Sequence, residues 1–250
     1  MTHPELEPIV FIHGLFQGLD APGAARSLSP LLVLAPDLPG YGEDRHHDPG
    51  DISLDAAADA IYARMRSAGW ERAHLVGHSV GGAVAVVLAD RYPGAVASIV
   101  SVEGNFTLKD AFWSQQLARV DARAADAMLA DYRADPRAWL AGSGIDATPE
   151  QEAIAARILA AQPASTLQAM ARSVVQVTGN AAYLRVIDAI LDRATPFHLV
   201  AGERSRGGWD VPEWALRRVT SVTIQPGAGH MMMLENESDF LSIVRRLILS

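Results

Sequence analysis

A chain of 250 residues that is 49% hydrophobic and 20% charged can bury one large core, or a core with a lid over it, and its composition excludes a disordered protein. The formal net charge of −8, from 21 Lys and Arg against 29 Asp and Glu, argues against nucleic acid as a partner, because phosphate binding needs a basic surface. With no cysteine there is no disulfide framework, thiolate metal site or cysteine nucleophile, so Ser, His and carboxylates must carry any chemistry.

In chain order, residues 1–8 are acidic and lack the basic start and apolar centre of a signal peptide, and no apolar run approaches the length of a membrane span. A cytoplasmic protein with no membrane partner is expected. Short β-branched runs follow at Ile9-Val10-Phe11-Ile12, Leu31-Leu32-Val33-Leu34, His74-Leu75-Val76, Ser98-Ile99-Val100-Ser101-Val102, Phe197-His198-Leu199-Val200 and Ser221-Val222-Thr223-Ile224. Helical spacing separates them at Leu54 to Ser67, Val80 to Tyr92, Trp214 to Val219 and Asp239 to Leu249. Nearly continuous apolar strands alternating with helices predict an α/β fold, a mostly parallel sheet with helices on both faces. Between Gly104 and Ala194 the strand signal disappears and Ala-rich helical stretches take over, such as Asp121 to Ala134 and Pro149 to Ala161. The expected organisation is a core of residues 1–104 and 195–250 with an inserted helical cap of residues 105–194. No repeat, low-complexity tract or linker marks a second independent domain.

The stretch Ala73-His74-Leu75-Val76-Gly77-His78-Ser79-Val80-Gly81-Gly82 reads as a buried strand running into a G-x-S-x-G turn, which names a nucleophile. Gly77 and Gly81 stand where a sharp strand-to-helix turn brings backbone too close for side chains, and Ser79 is left at the apex. Small residues from Gly82 to Ala89 continue as a helix that Pro93-Gly94 stops. An alcohol needs a base to take its proton, and an imidazole, with an ordinary pKa of about 6.5, can take it and return it to the leaving group. His230 is the candidate, in a Gly-rich turn after the last predicted strand. His13 ends a strand and reads as a hydrogen-bonded brace, His46 and His47 as solvated loop residues, His198 as core packing and His78 as support for the turn; His3 is given no role.

Four motifs in order resemble the α/β-hydrolase superfamily over about residues 8 to 104 and 195 to 250. Phe11-Ile12-His13-Gly14-Leu15 is similar to its strand-ending His-Gly motif, Asp37-Leu38-Pro39-Gly40-Tyr41-Gly42 to its D-x-x-G-x-G loop, Gly77 to Gly81 to its nucleophile elbow, and Pro226-Gly227-Ala228-Gly229-His230 to its catalytic histidine loop. The resemblance implies the α/β-hydrolase fold. That fold usually opens with an antiparallel hairpin, for which residues 1–7 are too few, so a shortened sheet of six parallel strands is expected. The family most often places its triad acid after the seventh strand as G-x-x-D, but here the stretch is Gly202-Glu203-Arg204-Ser205, with serine in the acid position. One branch, including some haloalkane dehalogenases, carries the acid at the end of the strand after the nucleophile, where this chain has Glu103, aimed by a tight turn at Gly104. Glu103 is chosen, with Asp210 and Glu203 as alternatives. The oxyanion donors implied are the backbone N–H groups of Leu15 and Val80.

Phe16, Phe106, Trp113, Trp139 and Met231 are the candidate substrate contacts, with Phe112, Trp209, Met232 and Met233 nearby in sequence; most aromatic and Met side chains at helical spacing serve packing, so two or three are expected to touch substrate. The expected activity is that of a cofactor-free, metal-free serine hydrolase cleaving a carboxylic ester, thioester or lactone of a small apolar substrate through an acyl-enzyme. Ser79 excludes the dehalogenases and epoxide hydrolases of the superfamily, which use an aspartate nucleophile. Carbon–carbon bond hydrolysis, perhydrolysis or lyase chemistry with the same triad stays open, as does a non-catalytic ligand-binding role. A small molecule is the only partner expected, and oligomeric state has no signature in the chain.

Overall fold

The computed structural model describes residues 6–16 and 21–249. Residues 1–5, which include His3 and most of the segment read for a signal peptide, lie outside that description, as do residues 17–20. The first half of the chain forms β1 (Ile9–Ile12), α1 (Ala21–Leu28), β2 (Val33–Leu34), α2 (Leu54–Ser67), β3 (Ala73–His78), α3 (Val80–Arg91) and β4 (Val96–Val102). A helical stretch follows: α4 (Phe112–Arg119), α5 (Ala122–Ala134), α6 (Pro136–Gly142), α7 (Pro149–Ala160), α8 (Ala164–Thr178) and α9 (Ala181–Asp192). The chain then returns through β5 (Phe197–Gly202), α10 (Glu213–Leu216), β6 (Ser221–Gln225), α11 (Met232–Glu235) and α12 (Glu237–Ile248).

The strands form one six-stranded sheet in the order β2-β1-β3-β4-β5-β6, and every neighbouring pair is parallel. Strand side chains alternate between faces, and both faces of this sheet are apolar. Ile9 and Phe11 of β1, Val76 of β3 and Val100 of β4 join the layer under α1 and α12, whereas Val10, Ile12, Leu75 and Ile99 join the layer under α2 and α3. Helix α12 seals its side with Phe240, Leu241, Val244 and Leu247, one stripe at helical spacing. Within the helical stretch α8 is central: its buried Leu167, Met170, Ala171 and Val174 meet α4, α5 and α9, and it also reaches α2 and α3 of the core.

Side-chain caps set many helix starts. Ser53 Oγ accepts from Ala56 N–H at 3.0 Å to begin α2, and Thr148 and Gln151 form a reciprocal capping box with Pro149 as the first helical residue of α7. Several boundaries differ from the pattern in the sequence, three of them for local reasons. β2 holds only Val33 and Leu34, because Leu31 N–H is tied back to Leu28 O of α1 at 3.0 Å. α10 stops at Leu216, since the N–H groups of Arg218 and Val219 both turn back to Ala215 O. α12 starts two residues early, at Glu237, because Asn236 caps it by accepting from Asp239 N–H at 3.1 Å.

The strand order places the site. Connections run one way from β1 to β2 and the other way from β3 onward, so a crevice opens beyond the C-terminal ends of β1 and β3. His13, Gly14 and Leu15 leave β1 there, Ser79 follows β3, Glu103 follows β4, and His230 follows β6.

Candidate active site

Ser79 takes φ 52° and ψ −117°, a conformation that side-chain-bearing residues rarely adopt and that costs about 1–3 kcal/mol. Its surroundings hold it there. Ser79 N–H donates to Val102 O at 2.9 Å, and Ser79 O accepts from Gly82 N–H at 2.9 Å and Asn105 N–H at 3.3 Å. The flanking glycines are needed for space: a Cβ on Gly77 would lie 2.3 Å from Gly81 O, and one on Gly81 would lie 2.1 Å from Ile12 O. Val80 opens α3, so its N–H has no acceptor within the helix.

Glu103 is buried and its carboxylate is divided between two tasks. Oε2 lies 2.7 Å from His230 Nδ1, while Oε1 accepts from Gly202 N–H at 2.9 Å and from Ser205 Oγ at 2.5 Å. Burial pushes this carboxyl up; the hydrogen bonds from His230, Ser205 and Gly202 outweigh it and hold the group below its ordinary range, hence ionised. An ionised carboxylate only accepts, so His230 Nδ1 carries the proton of this contact. The positive φ at this corner belongs to Glu103 itself, at 40°, and not to Gly104, where the sequence placed the tight turn. Gly104 is small for another reason: a Cβ there would sit 2.5 Å from Ser101 Oγ and 2.9 Å from Gly82 Cα, where α3 crosses the strand end. The two alternative acids lie elsewhere. Glu203 accepts from Gly227 N–H at 2.8 Å, and Asp210 binds Thr107 Oγ1 at 2.7 Å and Lys109 Nζ at 3.3 Å.

Two further histidines brace the site. His78 Nε2 donates to His230 O at 3.0 Å, with the rings 4.7 Å apart; burial, aided by the His230 ring, holds His78 well below the ordinary imidazole range and so neutral. His13 accepts from Leu38 N–H at Nε2, at 3.2 Å, which leaves Nδ1 to donate to Gly14 O at 2.8 Å. That bond pins the turn carrying Leu15 against the elbow, where a Cβ on Gly14 would meet Ser79 Cβ at 3.3 Å. His198 packs in the core as its strand position suggested, hydrogen-bonded to Ser221 Oγ at 2.8 Å, and His47 lies in a polar loop beside Asp44 at 3.4 Å.

Ser79, Glu103 and His230 open onto one cavity of about 240 Å³, together with Leu15, Phe16, Trp113, Trp139 and Met231. The described residues supply no hydrogen bond to Ser79 Oγ. Phe106, a candidate contact in the sequence, does not line this cavity; it is buried 6.3 Å from the Phe197 ring and 5.9 Å from that of Trp209. Phe112, Trp209 and Ser205 line the cavity in addition. The strand end beyond Glu103 is fixed by contacts that sequence reading missed, Trp209 Nε1 to Gly104 O and Tyr183 hydroxyl to Asn105 O, each 2.8 Å. Among the described residues no group of three or more His, Asp and Glu side chains could hold a metal ion, and no helix is long and apolar enough to cross a membrane.

Known proteins resemble this chain in sequence and in fold. A probable serine hydrolase of Drosophila melanogaster is 32% identical over 141 residues, 53% of this chain and 40% of that protein. Lipase 3 of Moraxella sp. is 31% identical over 110 residues, 43% of this chain and 33% of the lipase. The chain thus matches less than half the length of either curated relative. The structure of MenH from S. aureus superposes with a TM-score of 0.77 over 99% of this chain and 95% of that one; at 17% identity this is a likeness of fold. A family model described as alpha/beta hydrolase fold matches residues 7–144, and the chain belongs to that family.

Proposed function

We propose that this α/β hydrolase is a serine hydrolase that cleaves the carboxylic ester, thioester or lactone of a small apolar substrate by way of an acyl-enzyme. The observation that carries the reading is the 2.7 Å contact between His230 Nδ1 and buried Glu103, with the strained Ser79 elbow in the same cavity. In this mechanism His230 Nε2 takes the proton of Ser79 Oγ as the oxygen attacks the substrate carbonyl, and Glu103 holds Nδ1–H and stabilises the imidazolium. The N–H groups of Leu15 and Val80 receive the developing oxyanion. His230 returns the proton to the departing alcohol, thiol or ring oxygen, and water, activated in the same way, releases the acid and restores Ser79.

The cavity sets the substrate. About 240 Å³ walled by Phe16, Trp113, Trp139, Trp209 and Met231 suits a short acyl chain or a single ring better than a long lipid tail. The names of the curated relatives, a serine hydrolase and a lipase, support the same class. A fluorophosphonate probe followed by a panel of 4-nitrophenyl esters tests the reading. Covalent labelling confined to Ser79 and turnover favouring short or aromatic acyl groups are expected. No labelling and no turnover of any ester, thioester or lactone, from a protein that still binds apolar ligands, would make it a binding member of the fold.

A further inference from the structure

The acid position left vacant in the sequence is occupied in space. Ser205 stands where the family's G-x-x-D pattern has its acid, and its hydroxyl lies 2.5 Å from Glu103 Oε1, so two loops from adjacent strands, β4 and β5, converge on one point behind His230. The neighbouring backbone shapes this convergence. Ser205 N–H donates to Gly202 O at 3.2 Å, closing a turn at the end of β5, and Gly202 N–H donates to the same Oε1 at 2.9 Å. Oε1 thus receives two donors from one turn, and Oε2 is free for His230 Nδ1 alone.

We infer that Ser205 is a positioning residue for the proposed acid: its hydroxyl fixes the rotation of the Glu103 carboxylate and keeps the negative charge in place inside a nearly solvent-free wall. This role of Ser205 rests on the triad reading above and goes beyond it. Glu103 is only 4% exposed, and a buried carboxylate that loses one of its donors is costly. A carboxylate accepts but cannot donate, so in the short contact the hydroxyl of Ser205 donates to Oε1. Without it, Gly202 N–H alone would hold Oε1, and the plane of the carboxylate could turn away from Nδ1. Ser205 also lines the cavity, yet it acts through Glu103, and its loss should lower kcat and leave KM nearly unchanged.

The test compares kcat and KM of purified full-length variants on one 4-nitrophenyl ester. Glu103→Gln comes first, because it tests the triad alone: a kcat within tenfold of the parent would overturn the triad reading and this inference with it. Given a loss there of about 10³-fold or more, Ser205→Ala should lower kcat by about 10- to 100-fold, the range expected for a hydrogen bond to a charged group. Ser205→Thr and Ser205→Val have nearly the same shape and differ in the hydroxyl, so they separate packing from donation if the alanine variant folds poorly. Thr should retain most of kcat and Val should fall with Ala. Equal kcat for Thr and Val overturns the role of Ser205 while leaving Glu103 as the acid, and so does a Val variant that loses affinity without losing kcat. A final arm uses the convergence itself. Glu103→Gly relieves the positive φ and empties the acid site, and adding Ser205→Asp supplies a carboxylate from the β5 side. A kcat at least tenfold above that of Glu103→Gly alone supports the shared position; no gain, with the double variant folded, counts against it.

Discussion

At the scale of single residues, the site depends on backbone that two side chains would not choose for themselves. Ser79 and Glu103 both have positive φ, at 52° and 40°, and both are tied into the sheet by their own N–H groups, to Val102 O and Val200 O. Strain held by the sheet makes these positions tolerant of changes beyond Cβ. Ser79→Ala should therefore unfold at the parent's temperature while losing about 10⁴-fold or more of ester turnover, and a variant with a tenth of the parent rate would remove Ser79 from the mechanism. Glu103→Gln keeps the shape of the acid but presents no charge to Nδ1–H, so its kcat should fall by several orders of magnitude, on the order of 10³ to 10⁴. Glu203→Gln and Asp210→Asn provide the contrast. Each changes a carboxylate whose observed partners are Gly227 N–H in one case and Thr107 and Lys109 in the other, and each should leave kcat within about tenfold. Ser79 and His230 were legible as candidates because a strand-to-helix turn and a Gly-rich loop have local signatures. Ser205 was not. Its meaning depends on the ends of two strands about a hundred residues apart in sequence meeting in space, and nothing in Gly202-Glu203-Arg204-Ser205 records that.

At the scale of elements, α3 is the part whose fit decides the site. It lies so close to the sheet that Gly81 and Gly82 have backbone where a side chain would be: Ile12 O at 2.1 Å and Gly104 Cα at 2.5 Å from a built Cβ. Gly81→Ala should destabilise the protein by about 1–3 kcal/mol or more through forced backbone displacement. Gly94→Ala, with nothing within 4 Å, should stay within about 0.5 kcal/mol. Urea titration of both variants checks the contrast, and equal midpoints would show that α3 is not clamped as described. Elements with strong local patterns were legible: α2 runs from Leu54 to Ser67 as its spacing predicts. Others were less so. α8 and α9 were covered only by the general helical character read between Gly104 and Ala194, and β2 was overestimated because Leu31 and Leu32 look like strand residues until Leu31 is drawn back to α1.

At the scale of the whole molecule, neutral histidines wedge the sheet at both ends. His13 and His78 brace the C-terminal side, and His74 and His198 lie on one sheet face near the N-terminal side, with Nδ1 on Ser98 Oγ at 2.7 Å and on Ser221 Oγ at 2.8 Å. Burial lowers all four, His74 to about 4, because the imidazolium form would lose its water. The sign follows from proton binding. Below the ordinary histidine value of about 6.5 the unfolded chain binds protons that the folded chain refuses, so the folded state loses stability as pH falls, by up to about 1.4 kcal/mol per pH unit for each such group. Asp110 acts in the opposite sense: burial raises it to about 6, so its protonation favours the folded state over part of the same range, but it is one group against four. Stability should thus be flat from pH 8 to about 6.5 and fall steadily toward pH 4, ahead of the protonation of exposed carboxylates. Urea midpoints at pH 8, 6.5, 5.5 and 4.5 measure this. His74→Gln, whose amide can meet Ser98 Oγ without titrating, should flatten the decline between pH 6.5 and 4.5. A parent protein as stable at pH 5 as at pH 8, or a Gln variant with an unchanged slope, would mean that these histidines take up protons in the folded state and do not set the acid limit of the fold.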